Sequence, residues 1–244
     1  MRINLGKWTE ESIDGLAREA SATDDAGQRI TFISRHFLAT PYVGDTLVGS
    51  ANTPETFVVE LGGIDCLTFL EYVEALRLST SYREFIDNLQ NVRYVCGRVD
   101  FNHRRHFFSD WVGGTVEDIT AIIGGDRLAS CRKTLNLKED ETFYLPGIPA
   151  GQRVITYIPT PAFDETALSA INTGDYLGIY TPKPGIDVSH TGIAVRESSR
   201  VYLRHASSIR RMVIDEELAL YMRGKPGLLV YRPKSLKAIV RPQP

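Results

Sequence analysis

No stretch of this chain approaches the roughly 20 consecutive apolar residues that cross a bilayer, and the first ten residues hold no apolar core of the kind an export signal needs. No membrane segment is expected. As it stands the sequence reads as unexported: a periplasmic or secreted location is expected only if a signal once preceded it, and a cytoplasmic one otherwise. A basic excess is missing too, since 28 Lys and Arg stand against 30 Asp and Glu for a net charge of −2, so no nucleic-acid partner is implied. The pairs Arg104-Arg105 and Arg210-Arg211 are too short for a phosphate-tracking stripe. Cysteine is scarce as well. The three thiols, Cys66, Cys96 and Cys131, form no CxxC and no repeated spacing, which argues against a disulfide framework or a zinc knuckle.

What is present is ordinary globular material, 43% apolar and 24% charged over 244 residues, enough for a single domain spanning 1–244. Residues 9–38 carry a near-3.6 apolar period (Ile13, Leu16, Ala20, Ile30, Ile33, Phe37) that ends at Thr40-Pro41, and a glycine-bearing extended segment follows to 65. Cys66, Phe69, Leu70, Val73 and Leu76 then form the stripe of a buried helix, with a further helix around Tyr82–Asn91. The aromatic and basic segment 92–112 reads as a loop-rich insertion. Strands are expected at 154–158, 175–180, 188–195, 200–206 and 228–232. Helices first and strands afterwards predict an α+β fold, the helical N-terminal part packed on an antiparallel sheet. A monomer is expected.

Asp65 is a good N-cap directly after Gly62-Gly63, so Cys66 falls in the first helical turn. There the macrodipole and unpaired N–H groups favour thiolate over a thiol of pKa about 8.5, and the same N–H groups can hold an oxyanion. The alternative is a small buried hydrophobe. A nucleophilic cysteine needs an imidazole and a group to orient it. Segments 188–195 and 200–206 supply two histidines. With the tip of their hairpin between Glu197 and Ser198, His190 and His205 become direct cross-strand partners, Cβ atoms roughly 4.5–5.5 Å apart. A hydrogen-bonded core pair remains an alternative. A metal site lacks carboxylate or thiolate partners at ligand spacing, and His103 and His106 sit in a separate loop.

The order Pro41-Tyr42-Val43, Asp65-Cys66, His190-Thr-Gly-Ile-Ala-Val195, His205-Ala-Ser207 resembles the NlpC/P60 peptidoglycan hydrolases. Leu38–Val43, Arg105-His106, Ser109-Asp-Trp111, Gly185–His190 and His205–Ser208 are similar, more closely, to the DUF1460 branch, described as N-acetylmuramoyl-L-alanine amidase-like. The resemblance runs from about 28 to 233. It implies a papain-like fold with Cys66 as nucleophile, His190 as base, His205 as orienting group and Tyr42 beside the nucleophile in the oxyanion region. It also implies a peptidoglycan or muropeptide substrate and no metal or organic cofactor. The expected bond is N-acetylmuramoyl-L-alanine; the alternatives are the D-Glu–diamino acid bond of the stem, or acyl transfer to another acceptor. Arg105, His106, Asp65 and Trp111 are the candidate substrate-binding residues, Arg105 because a guanidinium pairs bidentately with carboxylates. Where relatives read Tyr-x-Ser-Arg-Leu-His-Tyr, this chain has Phe101-Asn-His-Arg-Arg-His-Phe107, without the Ser and both tyrosines.

Overall fold

The computed structural model describes residues 1–239. Four helices lead: α1 (Glu10–Ala20), α2 (Ala26–Arg35), α3 (Cys66–Arg77) and α4 (Tyr82–Arg93). The single helical stretch expected at 9–38 is two helices. Ser21 Oγ bonds back to the Arg18 carbonyl and the Asp25 carboxylate caps Gln28 N, side-chain bonds that end one helix and start the next. Among the helices lie β1 (Arg2–Asn4), β2 (Val48–Ser50), β3 (Thr53–Thr56) and β4 (Val58–Glu60), β1 pairing in parallel with β4 and β2 antiparallel with β3.

The C-terminal half builds one large antiparallel sheet, so the molecule is a mixed α/β structure. Its strands are β5 (Val116–Asp118), β6 (Ala129–Leu135), β7 (Gly151–Pro159), β8 (Tyr176–Tyr180), β9 (Val188–Glu197), β10 (Arg200–Ser207), β11 (Met212–Glu217) and β12 (Gly227–Pro233). Their spatial order is β11-β10-β9-β8-β12-β7-β6, with β5 on β12. The five expected strands are all present; β6 and β11, polar and partly exposed, carry too weak an alternation to be read from sequence. Segment 92–112 is a run of short turns, Val95–Gly97, Phe101–His103 and Phe108–Trp111.

Both faces of the sheet are covered. Along β8, Tyr176 and Tyr180 pack in the core under α1–α4, while Leu177 and Ile179 pack in a second cluster. That second cluster lies under α5 (Thr120–Gly124), α6 (Glu165–Ala170) and α7 (Leu218–Tyr221). The period-2 alternation of a strand thus splits apolar residues between two cores. Helix α3 is buried from Thr68 to Arg77 and held by two internal ion pairs, Glu71 with Arg93 at 2.7 Å and Glu74 with Arg77 at 2.6 Å. Tyr176 adds a hydroxyl bond to Glu74 at 2.7 Å. Removing one member of such a pair strands a buried charge at a cost of about 3–5 kcal/mol, so α3 is a rigid mount for its first residue.

Candidate active site

The start of α3 is set by local chemistry. Asp65 Oδ1 accepts from Leu67 N and Thr68 N at 3.0 and 2.8 Å, and Thr68 Oγ1 accepts from Asp65 N at 3.0 Å, a reciprocal capping box. The entry needs Gly63, because a Cβ there would lie 2.3 Å from Val43 Cγ2. Cys66 is the first helical residue, as its sequence position predicts. Thr191 of β9 ties the two elements together, its Oγ1 donating to the Cys66 carbonyl at 2.9 Å. Since Asp65 takes the next two N–H groups and its carbonyl takes that of Phe69, the N–H of Cys66 is the one left without an acceptor in another described residue, facing its own thiol.

The hairpin is one step from the expected register. Its tip is Ser198-Ser199, with Ser198 at φ +54° as a tight two-residue turn requires, and Glu197 pairs with Arg200. Every partner therefore moves by two residues, and His205 falls opposite Gly192 instead of His190. A two-residue slip preserves the face, so the histidines become diagonal neighbours. Gly192 makes room for this: a Cβ there would stand 2.8 Å from the Arg204 carbonyl and 3.0 Å from His205 Cβ. The rings meet edge to face, and His190 Nε2 lies 2.7 Å from His205 Nδ1.

A third member escaped the sequence reading. His205 Nε2 lies 2.8 Å from Glu216 Oε2, on β11, where Glu216 pairs with Leu203 of β10. A carboxylate only accepts, so the proton of His205 sits on Nε2 and its Nδ1 is a lone pair. That lone pair accepts from His190 Nε2–H, which leaves His190 Nδ1 as the basic nitrogen. One carboxylate thus fixes two tautomers. Burial first, then the charges of His205 and Lys225, pull the His190 imidazole down to about 3. Burial also lowers His205, partly offset by its bond to Glu216. Both rings are neutral at neutral pH.

Cys66 corrects the expectation of a low-pKa thiol. Burial pushes it up to about 11, the neighbouring Asp65 adds to this, and hydrogen bonding from Thr191 offsets only part. Desolvation outweighs the helix terminus here. Cys66 and His190 line one cavity of about 260 Å³, together with Leu67, His106, Tyr144 and Asp187, but they are not hydrogen-bonded to each other. Consecutive residues of β9 point to opposite faces, Thr191 toward α3 and His190 toward α7. The cavity opens where β9 begins and its pairing with β8 is irregular, and there side chains of both faces reach one opening.

Tyr42 lies close to this centre: burial raises its phenol, and Cys66 and Asp65 raise it further. Tyr221, also missed from sequence, packs on both imidazoles, 6.2 Å from His190 and 5.2 Å from His205 between ring centres. Asp65, Arg105 and His106 line an adjoining cavity of about 600 Å³, which shares Leu67, His106, Tyr144 and Leu145 with the first. Arg105 is partly committed, its Nη1 donating to the carbonyls of Asn91, Val92 and Tyr94 at 2.8, 2.8 and 3.1 Å and so closing the end of α4. His106 Nε2 donates to the Phe101 carbonyl at 2.8 Å. Trp111 does not belong to either cavity; it is 4% exposed and stands edge-on to Tyr176, a core position, so it is removed from the candidate substrate-binding residues. Its neighbour Ser109 does brace the site, its N–H donating at 2.7 Å to Asp187 in the cavity wall. Among the described residues no cluster of His, Cys, Asp and Glu has the geometry of a metal site.

Known structures share this arrangement of chain. A Legionella pneumophila protein of family DUF1460 superposes with a TM-score of 0.79 over 92% of this chain and 94% of its own, at 22% identity, which is a likeness of fold. An N-acetylmuramoyl-L-alanine amidase from Bacteroides uniformis superposes with a TM-score of 0.71 at 27% identity, covering 86% of this chain and 99% of that one. No curated protein sequence matches the chain. The family model described as N-acetylmuramoyl-L-alanine amidase-like matches residues 32–228, most of the chain, and the protein therefore belongs to this AmiA-like family.

Proposed function

We propose that the protein is a papain-like cysteine amidase of the NlpC/P60 type, hydrolysing the N-acetylmuramoyl-L-alanine bond of peptidoglycan or muropeptides. The observation that carries this reading is the hydrogen-bonded line Glu216–His205–His190 ending on the cavity that Cys66 lines. Such a line has a direction, from an accepting carboxylate to a basic nitrogen, that a structural histidine pair does not need. The family name supplies the amide bond.

In this mechanism Cys66 is a neutral thiol at rest, since its proton is held high and that of His190 low. His190 Nδ1 takes the thiol proton as Sγ attacks the carbonyl carbon, so base catalysis and attack are coupled. The Cys66 N–H and the Tyr42 hydroxyl face the oxyanion. His190 then returns the proton to the leaving L-Ala amine and, after that, activates water to hydrolyse the thioester. His205 and Glu216 stay in place throughout and stabilise the imidazolium that forms. Arg105 keeps Nε and Nη2 for a substrate carboxylate while Nη1 anchors it, and His106 lines the junction of the two cavities. No step calls for a metal or organic cofactor.

Mass spectrometry of purified muropeptides after incubation tests the bond assignment. A lactyl-bearing sugar and a peptide beginning with L-Ala are expected. A fragment ending in D-Glu would move the cut into the stem, and an acyl group on an added amine would make the protein a transferase.

A further inference from the structure

The relay depends on charge state as much as on geometry. If His205 gains a second proton, both of its nitrogens become donors. His190 Nε2 must then accept, and its remaining proton moves to Nδ1, the nitrogen needed as base. One proton on His205 therefore switches off His190 through a tautomer change, without moving any heavy atom.

Two residues stand against that proton. Tyr221, last residue of α7, covers both imidazoles with its ring, and Lys225 Nζ sits 5.0 Å from the centre of that ring. We propose that Tyr221 and Lys225 are positioning residues that keep the His190–His205 pair uncharged and so hold the single tautomer in which His190 Nδ1 is basic. The ring excludes water, which would solvate an imidazolium. The ammonium adds a like charge beside it. The other groups around the pair are Cys66 on α3, which lines the same cavity as His190, and Glu216 and Asp215 on β11, of which the two carboxylates favour protonation of His205. Burial and Lys225 oppose them, and both histidines are lowered on balance.

This deepens the amidase reading and rests on it, yet its test does not need turnover. Full-length protein labelled in histidine is titrated by NMR, reading the imidazole nitrogens of parent, Lys225→Met, Tyr221→Phe and Tyr221→Ala. Tyr221→Phe keeps the ring and should titrate like the parent. Lys225→Met should raise the midpoint of the pair by about half to one pH unit at low salt, and by less at 1 M salt, where the parent's ammonium is screened. Tyr221→Ala should raise it by more than about one unit, and kcat/KM should lose its acidic limb at correspondingly higher pH with KM little changed. Unshifted midpoints in folded Lys225→Met overturn the proposal, as do unshifted midpoints in Tyr221→Ala; if Tyr221→Ala does not fold, Lys225→Met decides alone. Shifted midpoints in a protein that cleaves no muropeptide uphold the cap while the amidase assignment falls.

Discussion

Replacing Glu216 removes the far end of the hydrogen-bonded line and leaves Cys66 and His190 untouched. The His205–Glu216 bond is 2.8 Å long, with the histidine side chain 2% exposed and the glutamate 37%. A hydrogen bond to a charged partner contributes about 1.5–3 kcal/mol, and the exposure of Glu216 puts this one toward the lower end. Glu216→Ala forfeits it, and at about 1.4 kcal/mol per decade kcat should fall roughly 10- to 30-fold. Glu216→Gln retains an accepting oxygen and a neutral bond of about 1 kcal/mol, so its loss should be only about two- to fivefold. The pH profile moves the other way from the rate. Glu216 holds the His205 proton on, so without its charge His205 titrates lower and the acidic limb of kcat/KM shifts to lower pH. Muropeptide cleavage followed by chromatography between pH 4 and 9 (roughly the working range of such groups) reads both quantities. A Glu216→Ala protein with the parent's kcat and the parent's acidic limb would refute the idea that this carboxylate sets the tautomers.

Cys66→Ala should abolish turnover with its circular dichroism intact, whereas Cys96→Ala and Cys131→Ala should keep parental activity; a working Cys66→Ala ends the nucleophile assignment. Iodoacetamide should alkylate Cys66 slowly at neutral pH, with a rate still climbing above the free-thiol value of about 8.5, because burial holds the thiol near 11; a plateau reached below pH 8 would contradict this. His205→Asn should keep a substantial part of kcat, since its amide oxygen still accepts from His190, while His205→Ala loses on the order of 10² and His190→Asn is nearly inactive. More activity in His190→Asn than in His205→Asn would reverse the two roles. Stability should follow the same buried ring: His190 is lowered to about 3 when folded, so its contribution is complete above the unfolded value of about 6.5 and is lost as pH falls toward 3. Thermal melts of His190→Asn should accordingly fall less steeply with acid than those of the parent.

Much of this site was legible in sequence, because the relevant rules act over a few residues. Asp65 caps a helix by reaching its own next N–H groups, so the position of Cys66 follows from adjacent side chains alone. The shared face of His190 and His205 follows from strand alternation, and it survived a hairpin tip placed one residue too early because a shift of two keeps parity. Other features depend on groups distant in the chain. Strand β11 has too little apolar alternation to announce itself, and only its place beside β10 gives Glu216 a partner in His205. The commitment of Arg105 to the end of α4 and the burial of Trp111 depend in the same way on what packs around them. The thiol shows the division most sharply: the sequence sets Cys66 at a helix start, which by itself favours thiolate, but the amount of water left around the sulfur is decided by every element that closes over it. Desolvation acts through that enclosure, and it reversed the sign.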